Sequence, residues 1–340
     1  MNTADFDYDL PPDRIAQRPA APRDTARLMA FDRASARLSH HIFHQLPALL
    51  RPGDALVVND TRVFPARLPM RKAASGGKVE LLLLHRVDAL TWEALAGGKR
   101  LRPGTRLEAE GGLSATIERE LGGARRLIAF AAPIEPLLEQ IGQVPIPPYI
   151  RQVPENPDDY QTVFAQPTGS AAAPTAGLHF TRALLDQLRA EDIAVIHLTL
   201  HIGLDTFAPV TEDRAEQHVI HTEWCEVTAA AAAGVNRVRA TGGRIVAVGT
   251  TAVRALETAA RASQPGAVLL PFTGPTSLYI LPGFEFRAVD AMITNFHLPR
   301  STLLMLVSAF AGREQVLGLY RTAIAEGYRF YSFGDAMLIT

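Results

Sequence analysis

The residues with most chemical promise sit in the stretch Gln166–Thr181, QPTGSAAAPTAGLHFT, which is crowded with small and turn-forming residues and delivers one histidine, His179. Gly169, Ser170 and Ala171 to Ala173 let a backbone approach a ligand closely, Pro174 fixes φ, and Gly177 can adopt conformations other residues resist. Thr175 and Gly177 are therefore candidate substrate contacts. His179, at the edge of a helix expected to start near Thr181, is a candidate for proton transfer near neutral pH. A tight connection holding a satisfied histidine is the competing structural explanation. A second imidazole, His297, stands in VDAMITNFHLPRSTLLMLVSAFAG (289–312) with Asp290 and Asn295, polar residues that packing does not require. Together the two histidines supply candidate groups for moving a proton.

Two more segments place polar groups where a ligand could be held. In RPGDALVVNDTRVFPARL (51–68) a short buried strand over Ala55 to Val58 ends on Asn59, Asp60, Thr61 and Arg62, and strand ends are where α/β proteins put ligands. In GGRIVAVGTTAVRALETAA (242–260) a strand runs into Gly249, Thr250 and Thr251 and then a helix carrying Arg254. Free amides at such a helix start suit a carboxylate or phosphate, although a simple cap by Thr251 accounts for the same pattern. No bound metal is expected. His197 and His201 are four residues apart, but IAVIHLTLHIGLDTF reads as a strand, which holds them roughly 13 Å apart on one face. His218 and His221 could share a helical turn near Glu223, without a third ligand at a recognisable spacing.

These residues need a scaffold, and the pattern of the chain supplies one. From Met70 to about Pro133, short apolar runs such as VELLLLHRV, TWEALA and RLIAFAA alternate with GG, RPGTR, EGG and LGGAR, the signature of a small antiparallel β-barrel or sandwich. The proline-rich stretch 144–160 then reads as a return linker. Beyond it, helix and strand signals alternate over Thr181–Glu191, Ile193–Leu200, Thr228–Thr241, Arg244–Val248 and Ala252–Ala262, the mark of an α/β layer arrangement. The 289–312 segment reads as strand, turn, and a core helix capped by Ser301 and ended by Gly312. The expected architecture is a larger α/β domain (1–66 and 151–340) carrying a small inserted antiparallel β-barrel domain (67–150).

Composition narrows the class. A chain of 340 residues with 47% hydrophobic content can bury a full core, and a formal net charge of −1 does not advertise a polyanion partner. The stretch 67–150 holds 12 Lys and Arg against 9 Asp and Glu, and its densest basic run is Lys99, Arg100, Arg102 and Arg106. The single cysteine, Cys225, removes disulfide frameworks and thiolate clusters and fits a reducing compartment. The longest apolar run, near 303–311, is too short for a bilayer. A cytoplasmic, monomeric protein with no membrane association is expected.

Several long segments, taken in order, are similar to one family. They are YDLPPDRIAQRPAAPRDTARLM, VVNDTRVFPARL, IPPYI, YQTVFAQPTGSAAAPTAGLHFT, TLHIGLDTFAPV, VGTTAVRALE, ITNFHLPRSTLLMLVSAFAG and YRFYSFGDAML. Through them the chain resembles, almost end to end, the S-adenosylmethionine:tRNA ribosyltransferase-isomerase family of queuosine biosynthesis. Two departures stand out: Asp205 where the family usually has glycine, and the WCEV of Trp224 to Val227 where tyrosines are commoner.

The resemblance implies a β-barrel inserted into a larger α/β domain. It also implies that S-adenosylmethionine is consumed as a ribosyl donor, with no further cofactor. The implied acceptor is tRNA carrying 7-aminomethyl-7-deazaguanine at the wobble position, and the products are epoxyqueuosine in tRNA, adenine and methionine. The sulfonium acidifies the adjacent ribose carbon, so a base can remove a proton there and drive release of adenine. The aminomethyl nitrogen then attacks, and epoxide formation expels methionine. On this reading His179 or His297 is the base, and Asp60 or Glu223 assists proton movement. Arg62 or Arg254 binds a carboxylate or phosphate. Asn59, Thr175, Gly177, Thr250, Thr251, Asp290 and Asn295 are the remaining expected substrate contacts. Arg100 and Arg102 are expected to guide the tRNA backbone, and Tyr149, Phe180 and Phe296 to stack bases. The alternatives are a S-adenosylmethionine-dependent enzyme acting on a small molecule and a noncatalytic tRNA-binding module.

Overall fold

The computed structural model describes residues 1–152, 156–203, 210–263 and 269–340; Asp205 lies outside them. Two compact units are formed. One comprises 1–61, 148–167 and 173–340, and the other 62–147 with 168–172, where the sequence reading drew the insert at 67–150.

The larger unit opens with the hairpin β1 (Arg27–Asp32) and β2 (Arg37–Ile42), followed by β3 (Ala55–Asn59). All five residues of β3 are buried, as expected of a strand covered on both faces, which reads as a continuous apolar run rather than an alternation. The chain then enters the smaller unit: β4 (Arg62–Val63), β5 (Arg67–Lys72), β6 (Lys78–Arg86), β7 (Thr91–Gly97), β8 (Arg106–Glu108), β9 (Ser114–Gly122), β10 (Arg125–Phe130), α1 (Glu135–Ile141) and, further along, β11 (Thr168–Ser170). β5 to β10 close into a barrel in the order β10-β7-β6-β5-β8-β9, while β4 and β11 pair as a separate ribbon. Period-two burial fills the barrel: Val79, Leu81 and Leu83 of β6 pack with Leu68 and Met70 of β5 and Ile117 of β9. Gly122 and Gly123, with φ of +106° and +51°, make the β9–β10 turn that L side chains would resist. Arg100 and Arg102 are exposed on the loop between β7 and β8.

The return to the larger unit runs through α2 (Arg182–Ala190), β12 (Ala194–His201), β13 (Glu223–Val227), α3 (Ala229–Ala240), β14 (Ile245–Val248), α4 (Thr250–Ala262), β15 (Phe272–Thr276), β16 (Ala291–Asn295), α5 (Thr302–Ala311), α6 (Arg313–Ala325) and β17 (Ala336–Ile339). Among the described residues these strands form a nine-stranded sheet in the order β15-β13-β12-β3-β14-β16-β17-β1-β2. β12, β3, β14 and β16 run parallel. The fold is therefore the expected α/β class with a closed antiparallel barrel. Thr181, Thr228 and Ser301 each accept the backbone N–H three residues on and start α2, α3 and α5. Gly312, with φ of +87°, ends α5. Leu184, Leu185 and Leu188 of α2 press with Phe43 and Phe180 onto Leu56, Val58 and Val246 of the sheet. No single described helix is long and apolar enough to cross a membrane.

The N-terminal edge of the parallel strands is tied by acidic side chains. Asp54 accepts from the backbone N–H groups of Arg51 and Arg244, and its carboxylate meets the Arg244 guanidinium at 2.6 Å. Asp290, expected among the substrate contacts, stands at this same edge and accepts the Ile245 N–H at 2.8 Å. It lies at the opposite end of β16 from Asn295 and serves as a strand tie. Replacing Asp54 with alanine should cost about 3 kcal/mol in equilibrium urea unfolding, the low end for a broken buried pair, because a fifth of the Arg244 side chain is solvated. A loss below about 1 kcal/mol would show that Arg244 is satisfied by water instead.

Candidate active site

Polar groups collect at the other edge, beyond the C-terminal ends of β3, β14 and β16. A concave site, partly open to solvent, lies there. One wall is the start of α4. Gly249 precedes the helix with φ of +88° and no side-chain cap, so the first-turn amides of Thr250 and Thr251 lack helix partners, and both residues line the cavity. The expected cap by Thr251 is not formed: its hydroxyl instead receives the Asn59 amide at 3.2 Å. Asn59 also exchanges bonds with Leu200 on β12 and accepts from Thr61 N–H. Its side chain is consumed in joining β3, β12 and α4.

The opposite wall is built on the end of β16. His297 lines the cavity. Tyr8 donates its hydroxyl to the His297 carbonyl, and the His297 N–H donates to Tyr320 Oη at 2.9 Å, so the backbone is held at both polar atoms. The ring meets Thr294 Oγ1 through Nε2 at 2.7 Å. Burial lowers its pKa to about 3, which keeps the imidazole neutral and makes it a weak base.

His179 is placed differently. It is buried, it is not among the side chains lining the cavity, and its ring packs 5.0 Å from that of Phe43. Its Nε2 faces Asn295 Nδ2 at 3.3 Å, and burial, with Arg329 and Arg23 adding to it, lowers its pKa to about 3. Asn295 Nδ2 also donates to the Tyr331 carbonyl, and its Oδ1 accepts from Thr175 Oγ1 at 3.0 Å. Thr175 and Asn295 both reach the cavity wall. His179 thus stands one residue behind it. Gly177 is set by packing, since a Cβ there would fall 2.8 Å from Phe164 and 2.9 Å from Thr162.

The other expected residues are distributed more widely. Asp60 accepts from Thr199 Oγ1 at 2.7 Å and lies 3.6 Å from His197 Nδ1, outside the cavity lining. Glu223 and Arg254 form a buried ion pair behind α4. Burial alone would raise the Glu223 pKa, but the Arg254 guanidinium, His221 and the Gly203 N–H outweigh it and bring it down to about 2. Arg62 is exposed on β4 in the smaller unit. Tyr149 lines the cavity, its hydroxyl 2.6 Å from Ser332 Oγ. Phe180 and Phe296, expected as base-stacking rings, are fully buried core residues. His218 and His221 do not act together: the first meets Glu212 and the second Glu223. Among the described residues no three His, Cys, Asp or Glu side chains gather as a metal site.

Sequence reasoning missed Thr294, Ser301 and Tyr331 in the wall. Thr294 was legible only as a hydroxyl three residues before His297. Tyr331 holds φ of +71°, a strained value for a bulky residue that no pattern of residue types announces.

These features define an α/β enzyme whose ligand site lies at the C-terminal edge of a parallel sheet, with a β-barrel inserted in its chain. A family model described as "Queuosine biosynthesis protein" matches residues 3–339. The S-adenosylmethionine:tRNA ribosyltransferase-isomerase of Moorella thermoacetica is 52% identical over 344 residues, and that of Symbiobacterium thermophilum 52% over 343, each alignment covering 100% of both chains. A crystal structure of S-adenosylmethionine tRNA ribosyltransferase from Thermotoga maritima is 38% identical with a TM-score of 0.58, covering 99% of this chain and 100% of that one. The chain belongs to the queuosine biosynthesis protein family. The relatives' names do not favour the small-molecule enzyme.

The Glu223–Arg254 pair makes a pH prediction. A carboxyl near 2 in the folded protein and about 4.3 when unfolded contributes stability that is complete above the unfolded value and lost as pH falls through the folded one. Glu223→Gln should therefore flatten the stability profile between about pH 4.3 and 2. Parallel acid limbs for the two proteins in chemical unfolding would contradict the assignment.

Proposed function

We propose that the chain catalyses the reaction for which its relatives are named, consuming S-adenosylmethionine as ribosyl donor and tRNA as acceptor. The attacking group is the aminomethyl nitrogen of 7-aminomethyl-7-deazaguanine at the wobble position, and the products are epoxyqueuosine in tRNA, adenine and methionine. The observation that carries the site assignment is the pairing, across one cavity, of a helix start with unpartnered amides and a neutral imidazole. The first turn of α4 holds the donor's methionine carboxylate, and His297 takes the proton from the carbon beside the sulfonium. His179 is the positioning residue that fixes the Asn295 amide and, through it, Thr175. Arg254 and Glu223 support α4 from behind rather than meeting the substrate. Arg100 and Arg102 meet RNA phosphate. The scheme draws on no metal and no cofactor beyond the donor. It belongs to the cytoplasm, where tRNA is modified, and needs one copy of the chain.

The test is incubation with S-adenosylmethionine and tRNA bearing 7-aminomethyl-7-deazaguanine, following adenine and modified nucleoside by mass spectrometry, with guanine-bearing tRNA as control. Adenine and epoxyqueuosine should appear together and only with the modified tRNA. Neither product from folded protein that binds the donor would return the small-molecule reading. His297→Ala should lower kcat about 10²- to 10⁴-fold, and His179→Ala by much less. The reverse order would move the base to His179. Because His297 is neutral down to about pH 3, kcat/KM should show no histidine inflection near about 6.5; one that disappears in His297→Ala would refute the burial argument. Gly249→Ala, which forces a Cβ into φ of +88° at 3.5 Å from Ala176, should raise KM for S-adenosylmethionine more than it lowers kcat. An unchanged KM would remove the helix start from donor binding.

A further inference from the structure

β13 has one covered face and one open face. Glu223, Cys225 and Val227 are buried, whereas Trp224 between them is 39% exposed. Trp224 lies directly opposite His201 of β12 on one side and Pro275 of β15 on the other. The indole and imidazole are stacked, with centroids 5.2 Å apart and planes at 18°. His201 is held in place by Thr61 Oγ1 at 2.8 Å from Nδ1. Burial lowers its pKa, with Asp60 acting in the opposite direction. The result is a partly exposed indole stacked on a held imidazole, where an ordinary sheet surface would carry a polar side chain.

Its location matters as much as its shape. β13 runs antiparallel to β12, so its first residues meet the last residues of β12 at the same sheet edge as Asn59, Gly249 and Asn295. Ile202, the residue after His201, lines the cavity, whereas His201, Trp224 and Pro275 do not. We propose that Trp224, backed by His201, is a stacking platform for an unpaired base of the tRNA loop that neighbours the reacting nucleotide. This rests on the function proposed above. Chemistry on a base inside an RNA loop requires that base to leave its stack, which strands its neighbours; an exposed aromatic side chain replaces the lost stacking without reading sequence. The adenine of the donor is the less fitting occupant, because the platform lies outside the walls of the cavity proposed for the donor.

The chain has two tryptophans, and Trp92 is only 6% exposed in the barrel, so Trp224 dominates iodide quenching of the native protein. Binding of a modified anticodon stem–loop should shield that fluorescence, and S-adenosylmethionine alone should not. In steady-state assays Trp224→Ala should raise KM for the RNA about 5- to 150-fold, the range of base–aromatic stacking, with KM for the donor unchanged, and Trp224→Phe should restore most of the loss. Circular dichroism and the unfolding midpoint confirm that the variants fold. Unchanged shielding with an RNA KM within about twofold of wild type would overturn the platform, as would a rise confined to the donor KM. Absence of adenine release by the wild-type protein with modified RNA would instead sink the functional reading itself, while shielding by the RNA would still support the platform.

Discussion

Three stretches far apart in the sequence meet at one side-chain amide. Asn295, at the end of β16, gives one Nδ2 hydrogen toward His179 and the other to the Tyr331 carbonyl, while its Oδ1 takes the Thr175 hydroxyl. An amide has two donors and one oxygen, so each bond excludes an alternative orientation. The 166–181 connection, the end of the central sheet and the strained backbone at Tyr331 are thereby locked to one another. A buried amide left half-satisfied would cost about 1–3 kcal/mol, and that penalty is what holds the wall of the cavity in a single arrangement. His297 follows two residues later, and its position is inherited from this lock.

Asn59 does the same work at the end of β3, on the far side of β14. Its amide and carbonyl are used on Leu200, Thr251 and Thr61, which joins β3 and β12 to the first turn of α4. The two asparagines thus stand at the strand ends on either side of β14, each held by several hydrogen bonds. The side chains that touch the cavity are mostly hydroxyls, small residues and one imidazole, positioned by groups that do not themselves face it. The buried Glu223–Arg254 pair has the same character: it fixes α4 against β13 from the far side.

The sequence made the elements legible because their signals are local. Thr181, Thr228, Ser301 and Gly312 start or stop helices through bonds within a few residues, and the all-apolar runs of β3 and β14 declare strands covered on both faces. The turn-rich stretch of the barrel was readable for the same reason. The residue types of the site were also visible, since histidines, asparagines and threonines at strand ends are not needed for packing. Which of them reaches the cavity was not. His179 and His297 look alike in sequence, and only the path of the 3₁₀ turn Thr175–His179 behind Asn295 separates them. Glu223 and Arg254 read as chemistry because an isolated charge does, and they prove to be partners 31 residues apart. Thr251 was expected to cap its own helix, but Asn59, brought beside it by the sheet, takes that hydroxyl.

Charge is the remaining constraint, and it bears on the proposed reaction. Among the described residues the cavity wall contains no Asp, Glu, Lys or Arg, and its histidine is neutral. A sulfonium entering such a wall gives up water without gaining a fixed counter-charge, which is unfavourable in a low-dielectric setting. Removing the proton from the adjacent carbon moves the positive charge from the sulfonium to the His297 imidazole of the same wall, where burial disfavours the protonated ring, so the transfer is completed only as adenine leaves. In the binding mode proposed above, the donor's own carboxylate is drawn to the amides of α4, where the helix start accepts its charge. The two carboxylates expected from the sequence to move protons, Asp60 and Glu223, are bound to Thr199 and Arg254 and lie outside the cavity lining.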